Sequence, residues 1–141
     1  MTTYLDTSLL VAALVPESAS NRVHRWLEAQ DAGTLAISGW TITEFASALA
    51  IKVRIGDLTL EQRADAQAAW TILRTASLTT LLVNELHFVV AAAYVDRPDL
   101  GLRSGDALHL AVASANGCSI ATLDALQAKA APACGVPFIR V

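Results

Sequence analysis

The chain has 141 residues, a formal charge of −3, 54% apolar residues and 16% charged ones. That length fits one domain, residues 1–141, with a real core, and is too short to divide comfortably into two. The negative balance excludes general electrostatic adhesion to nucleic acid, so such contact needs local basic groups or a bridging cation, and the scarcity of charge leaves apolar surface for a partner or a second copy.

Thr2 to Leu5 reads as a strand, and Ser8 to Val15 and Ala19 to Gln30 as helices parted by Pro16. The opening MTTYLDTSLLVAALVPES mimics a leader peptide but holds no Lys or Arg before Arg22 and sets Asp6 against its apolar run, so export is not expected. Thr34 to Ser38 returns as a strand, Thr41 to Ile55 is helical and closed by Gly56, and Thr59 caps a helix reaching about Ala76. In that helix Ala66, Ala69, Trp70, Leu73 and Ala76 make one apolar side, which assigns Trp70 to the core. The same default holds for Trp26 and Trp40. The basic groups, Arg22 with Arg25 and Lys52 with Arg54, read as solvated helix faces.

Thr79 to Val83 reads as a strand, Asn84 to Val95 as a helix ended by Pro98, and Ser104 to Asn116 as a helix stopped by Gly117. Ser119 to Thr122 and Pro137 to Val141 give two further strands around a short helix from about Ala125 to Ala131. Asp106, His109 and Asn116 interrupt the longest apolar stretch before it reaches the roughly 18 residues of a membrane span. Cys118 and Cys134 lack partners at metal-ligand spacing and read as buried free thiols of a cytoplasmic protein. Strands alternating with helices imply parallel pairing through crossovers, hence a three-layer α/β/α fold with a mostly parallel sheet of about five strands.

In such a sheet the site lies beyond the carboxyl ends of the strands. Asp6 follows the first strand directly, Asp124 closely follows the fourth, and Glu44 and Asp106 occupy early turns of helices. Each acid alone reads as a cap or dipole partner. The set reads differently, because Asp6 and Asp106 lie in apolar sequence and Asp6 has no neighbouring Lys or Arg. Two carboxylates about 4 Å apart repel by roughly 4 kcal/mol at an effective dielectric near 20. A divalent cation relieves that repulsion, and oxygen-only ligands suit Mg²⁺ or Mn²⁺, whose chemistry suits phosphodiester hydrolysis.

DTSLLVAAL, TITEFASAL, RSGDALHLA and the closing ATLD resemble, in order and separation, the four acidic motifs of PIN-domain ribonucleases, over essentially the whole chain. Its size is most similar to the VapC-type toxins of bacterial toxin-antitoxin pairs. The resemblance implies a Mg²⁺- or Mn²⁺-dependent endoribonuclease acting on RNA, often a tRNA or rRNA, restrained by a VapB-type antitoxin and typically homodimeric. It implies that Asp6, Glu44, Asp106 and Asp124 hold the metal and activate water, with Ser8 and Thr122 as supporting hydroxyls. Ala125 to Gly135 holds no carboxylate, where many relatives carry an additional acid, so one metal or two stays open.

Arg103, three residues before Asp106, either pairs with it or reaches a phosphate. His109 sits among Leu108, Leu110, Ala111 and Val112 and reads as a hydrogen-bonded structural residue rather than a ligand. His24 and His87 show no zinc-hydrolase spacing and receive no role. Two rival functions remain: a catalytically silent module keeping the fold, and a phosphate-receiving signalling domain, for which the only late lysine is Lys129. Gly101, Gly105 and Gly117 form no nucleotide-binding motif.

Overall fold

The computed structural model describes all 141 residues. Its strands are β1 (Thr3–Leu5), β2 (Leu35–Ser38), β3 (Thr79–Leu81), β4 (Ser119–Ala121) and β5 (Phe138–Ile139). The helices are α1 (Thr7–Leu14), α2 (Ser20–Glu28), α3 (Gly39–Arg54), α4 (Leu60–Ser77), α5 (Glu85–Val95), α6 (Ser104–Ala115) and α7 (Ala125–Ala130), with a short 3₁₀ turn at Pro132–Cys134. The sheet order is β3-β2-β1-β4-β5 and every pairing is parallel. The chain therefore winds outward one way through β2 and β3 and the other way through β4 and β5. The order reverses between β1 and β4, whose carboxyl ends open the crevice where such sheets bind ligands.

Period-two alternation along the central strands separates two cores. Tyr4 and Ile120 face one side with α5, α6 and α7; Leu5 and Ala121 face the other with α1, α2, α3 and α4. Helices thus cover both faces, as expected of a parallel sheet. Trp70 is buried and stacks on Phe45 with ring centroids 4.7 Å apart, so its place in the core is as read, and Trp26 lies half-buried against the same core. Both cysteines are free and buried. Of the basic groups, Lys52 is not merely solvated, since its Nζ pairs with Glu17 at 2.9 Å.

Thr59 caps α4 reciprocally with Gln62: its N–H donates to Oε1 at 2.8 Å and its Oγ1 accepts from the Gln62 N–H at 3.1 Å. The third helix differs from its sequence reading. It starts at Gly39, two residues before Thr41, because Ser38 ends β2 in extended conformation and serves directly as the N-cap, its N–H donating to Thr41 Oγ1 at 3.2 Å. With no loop between strand and helix, Trp40 falls in the first turn and Glu44 in the second, over the carboxyl edge of the sheet. No helix is long and apolar enough to cross a membrane.

Candidate functional site

Asp6 leaves β1 as the N-cap of α1 and is only 4% exposed. Its Oδ2 accepts from the Ser8 N–H at 3.1 Å, Ser8 Oγ at 2.6 Å and Thr122 Oγ1 at 3.0 Å. Ser8 Oγ also accepts from the Leu123 N–H at 3.1 Å, and Thr122 Oγ1 from the Asp124 N–H at 3.0 Å. The two hydroxyls therefore sew the β1–α1 joint to the β4–α7 joint across the topological switch. With Oδ2 saturated, Oδ1 is the oxygen left for another partner.

Glu44 reaches the same place from α3. Its Oε1 accepts from Thr7 Oγ1 at 2.6 Å and from His109 Nε2, which also lies 3.5 Å from Asp6 Oδ1. Burial pushes the Glu44 carboxyl up, but the His109 hydrogen bond and charge and the Thr7 hydroxyl outweigh it and hold the group below the usual carboxylate range. The buried Trp40 indole N–H forms no hydrogen bond. A Cβ on Gly105 would lie 2.9 Å from Glu44 Oε2 and 3.5 Å from the Trp40 Nε1, so only glycine lets α6 approach α3 this closely without displacing the carboxylate.

Asp106, in the first turn of α6, and Asp124, the N-cap of α7, complete the arrangement. Asp124 Oδ1 accepts from the Gln127 N–H at 2.9 Å, and the Gln127 side chain, fully buried, donates to the Asp106 backbone carbonyl at 3.3 Å, tying the two helix starts together. The Asp106 carboxyl is pushed up to about 6, first by burial and then by the negative charges of Asp6 and Asp124. Arg103 opposes this only partly. It lies 3.7 Å from both Asp106 and Asp124 with a side chain 79% exposed, so it pairs loosely with two acids rather than neutralising either.

All four predicted acids, with Ser8 and Arg103, line one cleft of about 450 Å³. Thr122 stands behind it on Asp6. The donor chemistry fits a hard divalent cation: the carboxylates outnumber the single exposed guanidinium, and Asp106, raised first by burial, is raised further by the charges of Asp6 and Asp124. Asp6, Glu44 and His109 each present a donor atom within 4.8 Å of the others. Lys129 lies exposed on α7 and does not line the cleft, which removes the lysine that a phosphate-receiving site requires.

Four residues have roles that were not legible from motif order. Trp40 is half-buried against the core, as read, but it also borders the cleft and an adjoining apolar recess with Phe88, Ala91 and Leu108. Thr7 is a ligand of Glu44, and Gly105 is the contact that admits it; both lie beside motif acids, but nothing in their spacing reports a contact between helices far apart in sequence. His109 is structural in being fully buried and hydrogen-bonded, as expected, yet it is bonded to the site itself.

A family model for the PIN domain matches residues 3–132. Among solved structures, the fold is similar to VapC20 of Mycobacterium tuberculosis, described as a sarcin-ricin loop cleaving toxin (TM-score 0.75, 17% identity, 99% of this chain and 100% of that one). It is similar also to FitAcB from Neisseria gonorrhoeae (TM-score 0.71, 18% identity, 98% and 96%) and to VapBC2 from Rickettsia felis, solved with a DNA fragment from its promoter (TM-score 0.70, 16% identity, 100% and 99%). No curated protein matches by sequence. The four acids thus converge on one cleft of a fold similar to these structures, and the family model's match over residues 3–132 places the chain in the PIN-domain family.

Proposed function

We propose that this chain is a Mg²⁺- or Mn²⁺-dependent endoribonuclease serving as the toxin of a toxin-antitoxin pair, with residues 1–141 acting as one domain in the cytoplasm. The observation that carries the reading is the convergence of Asp6, Glu44, Asp106 and Asp124 on one cleft, with Asp106 raised to about 6 by burial and then by the charges of Asp6 and Asp124. These four acids would hold the cation, with Ser8 and Thr122 fixing Asp6. The cation, when bound, supplies charge stabilisation at a phosphate and a lowered pKa for a water. Asp6 contributes the oxygen its three donors leave free, and Glu44 contributes an ionised carboxylate held in place by Thr7 and His109. Arg103 is loosely paired and exposed, so it can exchange carboxylate for substrate phosphate at little cost.

The toxin role is supported by family membership and by fold similarity to proteins named as toxins or solved in toxin-antitoxin complexes, including one from Klebsiella pneumoniae. On this reading the substrate is an RNA such as a tRNA or rRNA, and a VapB-type antitoxin restrains the enzyme. A homodimer is supported by the apolar side chains left open around α5: Leu82, Leu86, Phe88 and Val89 are each more than half exposed. The test is cleavage of a panel of structured RNAs with Mg²⁺, Mn²⁺ or EDTA, using wild type, Asp6→Asn and Asp106→Asn. Cation-dependent cleavage nearly abolished in both folded variants is expected; equal cleavage by all three proteins would sink the proposal and favour a silent binding module if none cleaves.

A further inference from the structure

Behind the acids runs a buried polar chain that the proposed reaction does not itself use. Tyr4, on β1, points to the face opposite Leu5, and its hydroxyl lies 2.7 Å from His109 Nδ1, 2.7 Å from Ser38 Oγ and 3.2 Å from Thr41 Oγ1. Tyr4, Ser38, Thr41 and His109 are all fully buried, so their hydrogens are placed by one another and not by bulk water. On the far side of the imidazole, Nε2 meets Glu44 Oε1 and lies 3.5 Å from Asp6 Oδ1.

The donor count settles what Nε2 carries. Both groups it faces are carboxylate oxygens, and the nearby Thr7 hydroxyl, 3.4 Å from Nε2, already donates its single proton to Glu44 Oε1 at 2.6 Å. An unprotonated Nε2, on a ring that is fully buried, would set a lone pair against two carboxylates, leaving a buried acceptor orphaned and repelled. A protonated Nε2 donates to Glu44 directly. On the other nitrogen, Tyr4 can satisfy Nδ1 from either direction, because Ser38 and Thr41 offer its oxygen both donors and acceptors.

We propose that His109 is a positioning residue, its ring clamped through Nδ1 by Tyr4 so that Nε2–H holds Glu44 Oε1 in the cleft, and that it is not a cation ligand. Resting on the nuclease reading, this assigns Tyr4 and His109 a part in cleavage although neither touches the reacting atoms. The effect passes through Glu44: with Oε1 held by Thr7 and His109, Oε2 is the oxygen kept free beside Gly105. Residues that orient a ligating carboxylate from behind in this way are worth about 10–100-fold in metal affinity or activity.

The primary test reads the imidazole directly. Two-dimensional ¹⁵N NMR of the ring nitrogens of His109 is expected to show a protonated Nε2 both in EDTA and with saturating Mg²⁺; an unprotonated Nε2 in either state overturns the proposal, and in the Mg²⁺ state identifies a ligand. This readout needs no RNA, so it stands or falls separately from the nuclease reading, which fails if wild type cleaves nothing. Mg²⁺ affinity by calorimetry and, where wild type cleaves, kcat and KM then compare Tyr4→Phe, His109→Leu and His109→Gln, whose amide can present an N–H where Nε2 was. Tyr4→Phe and His109→Leu are expected to lose about tenfold or more in Mg²⁺ affinity or kcat with KM nearly unchanged, and His109→Gln to recover most of that loss. Leu and Gln variants equally impaired, or folded Tyr4→Phe and His109→Leu proteins with wild-type values, would refute it.

Discussion

Replacing Asp106 by Asn should stabilise the cation-free protein at neutral pH while removing a residue the site needs. Its carboxyl is raised from 3.8 to about 6, first by burial and then by Asp6 and Asp124. The folded state therefore holds the proton more tightly than the unfolded chain, so stability from this group is present below about pH 4 and is lost as pH rises through about 6. A shift of this size corresponds to about 3 kcal/mol. With the side chain 17% exposed at an open cleft, screening reduces the realised penalty to about 1–2 kcal/mol. Asparagine keeps the shape, cannot ionise, and gives up only a loose pairing with the exposed Arg103. Thermal melts in EDTA should then place Asp106→Asn about 3–6 °C above wild type at pH 7.5, the gap closing towards pH 4.5. Saturating Mg²⁺ should reverse the order, since a ligand at a hundred times its Kd adds about 2.7 kcal/mol to the wild type. A variant less stable than wild type at pH 7.5 in EDTA, or a gap independent of pH, would refute the account of crowded charge.

The same raised carboxyl predicts that Mg²⁺ affinity falls as pH drops below about 6, approaching tenfold per unit as proton and cation compete for Asp106; calorimetric titrations at pH 5 and 7 measure it. Gly105→Ala should lower cleavage at least tenfold as Glu44 Oε2 is displaced, and should cost about 1–2 kcal/mol of stability, because the carboxylate its Cβ meets is held by Thr7 and His109 and the helix preference of alanine offsets only part of that strain; paired melting and kinetic measurements separate the two effects. Arg103→Ala should raise KM for RNA several-fold with melting temperature unchanged, since its side chain is 79% exposed and its ion pairs are loose.

How much of this was legible in the sequence depends on the range of the interaction responsible. Asp6 and Asp124 could be placed because each follows an apolar strand run and caps the next helix, a relation between adjacent residues. Element order and parallel pairing followed from the alternation of strands and helices. The start of α3 at Gly39 was missed because a tryptophan and a glycine are poor helix signals, and Ser38, as the last residue of β2, supplied the cap instead. Thr7, Gly105 and the second role of His109 escaped for another reason: each acts on Glu44 from a different helix, and a contact spanning 37 to 65 residues leaves no periodicity to read. Trp40 packs against the core as composition suggests, but its place at the cleft edge follows from the direct passage from β2 into α3, which composition does not report.

These contacts divide the site into unequal halves. On the α1 and α3 side the acids are over-determined: three donors fix Asp6 Oδ2, and Thr7 and His109 fix Glu44, so that geometry persists whether or not a cation is present. On the α6 and α7 side, Asp106 has only the loose guanidinium of Arg103 against two neighbouring negative charges. A cation arriving in the cleft therefore meets two carboxylates already in place and gains most of its binding energy by relieving the other two. Fluctuations of the cation-free protein should accordingly concentrate where α6 and α7 begin, and hydrogen exchange there should slow on adding Mg²⁺ more than at the start of α1. Equal slowing at both ends would mean that the first pair is less firmly held than its hydrogen bonds imply.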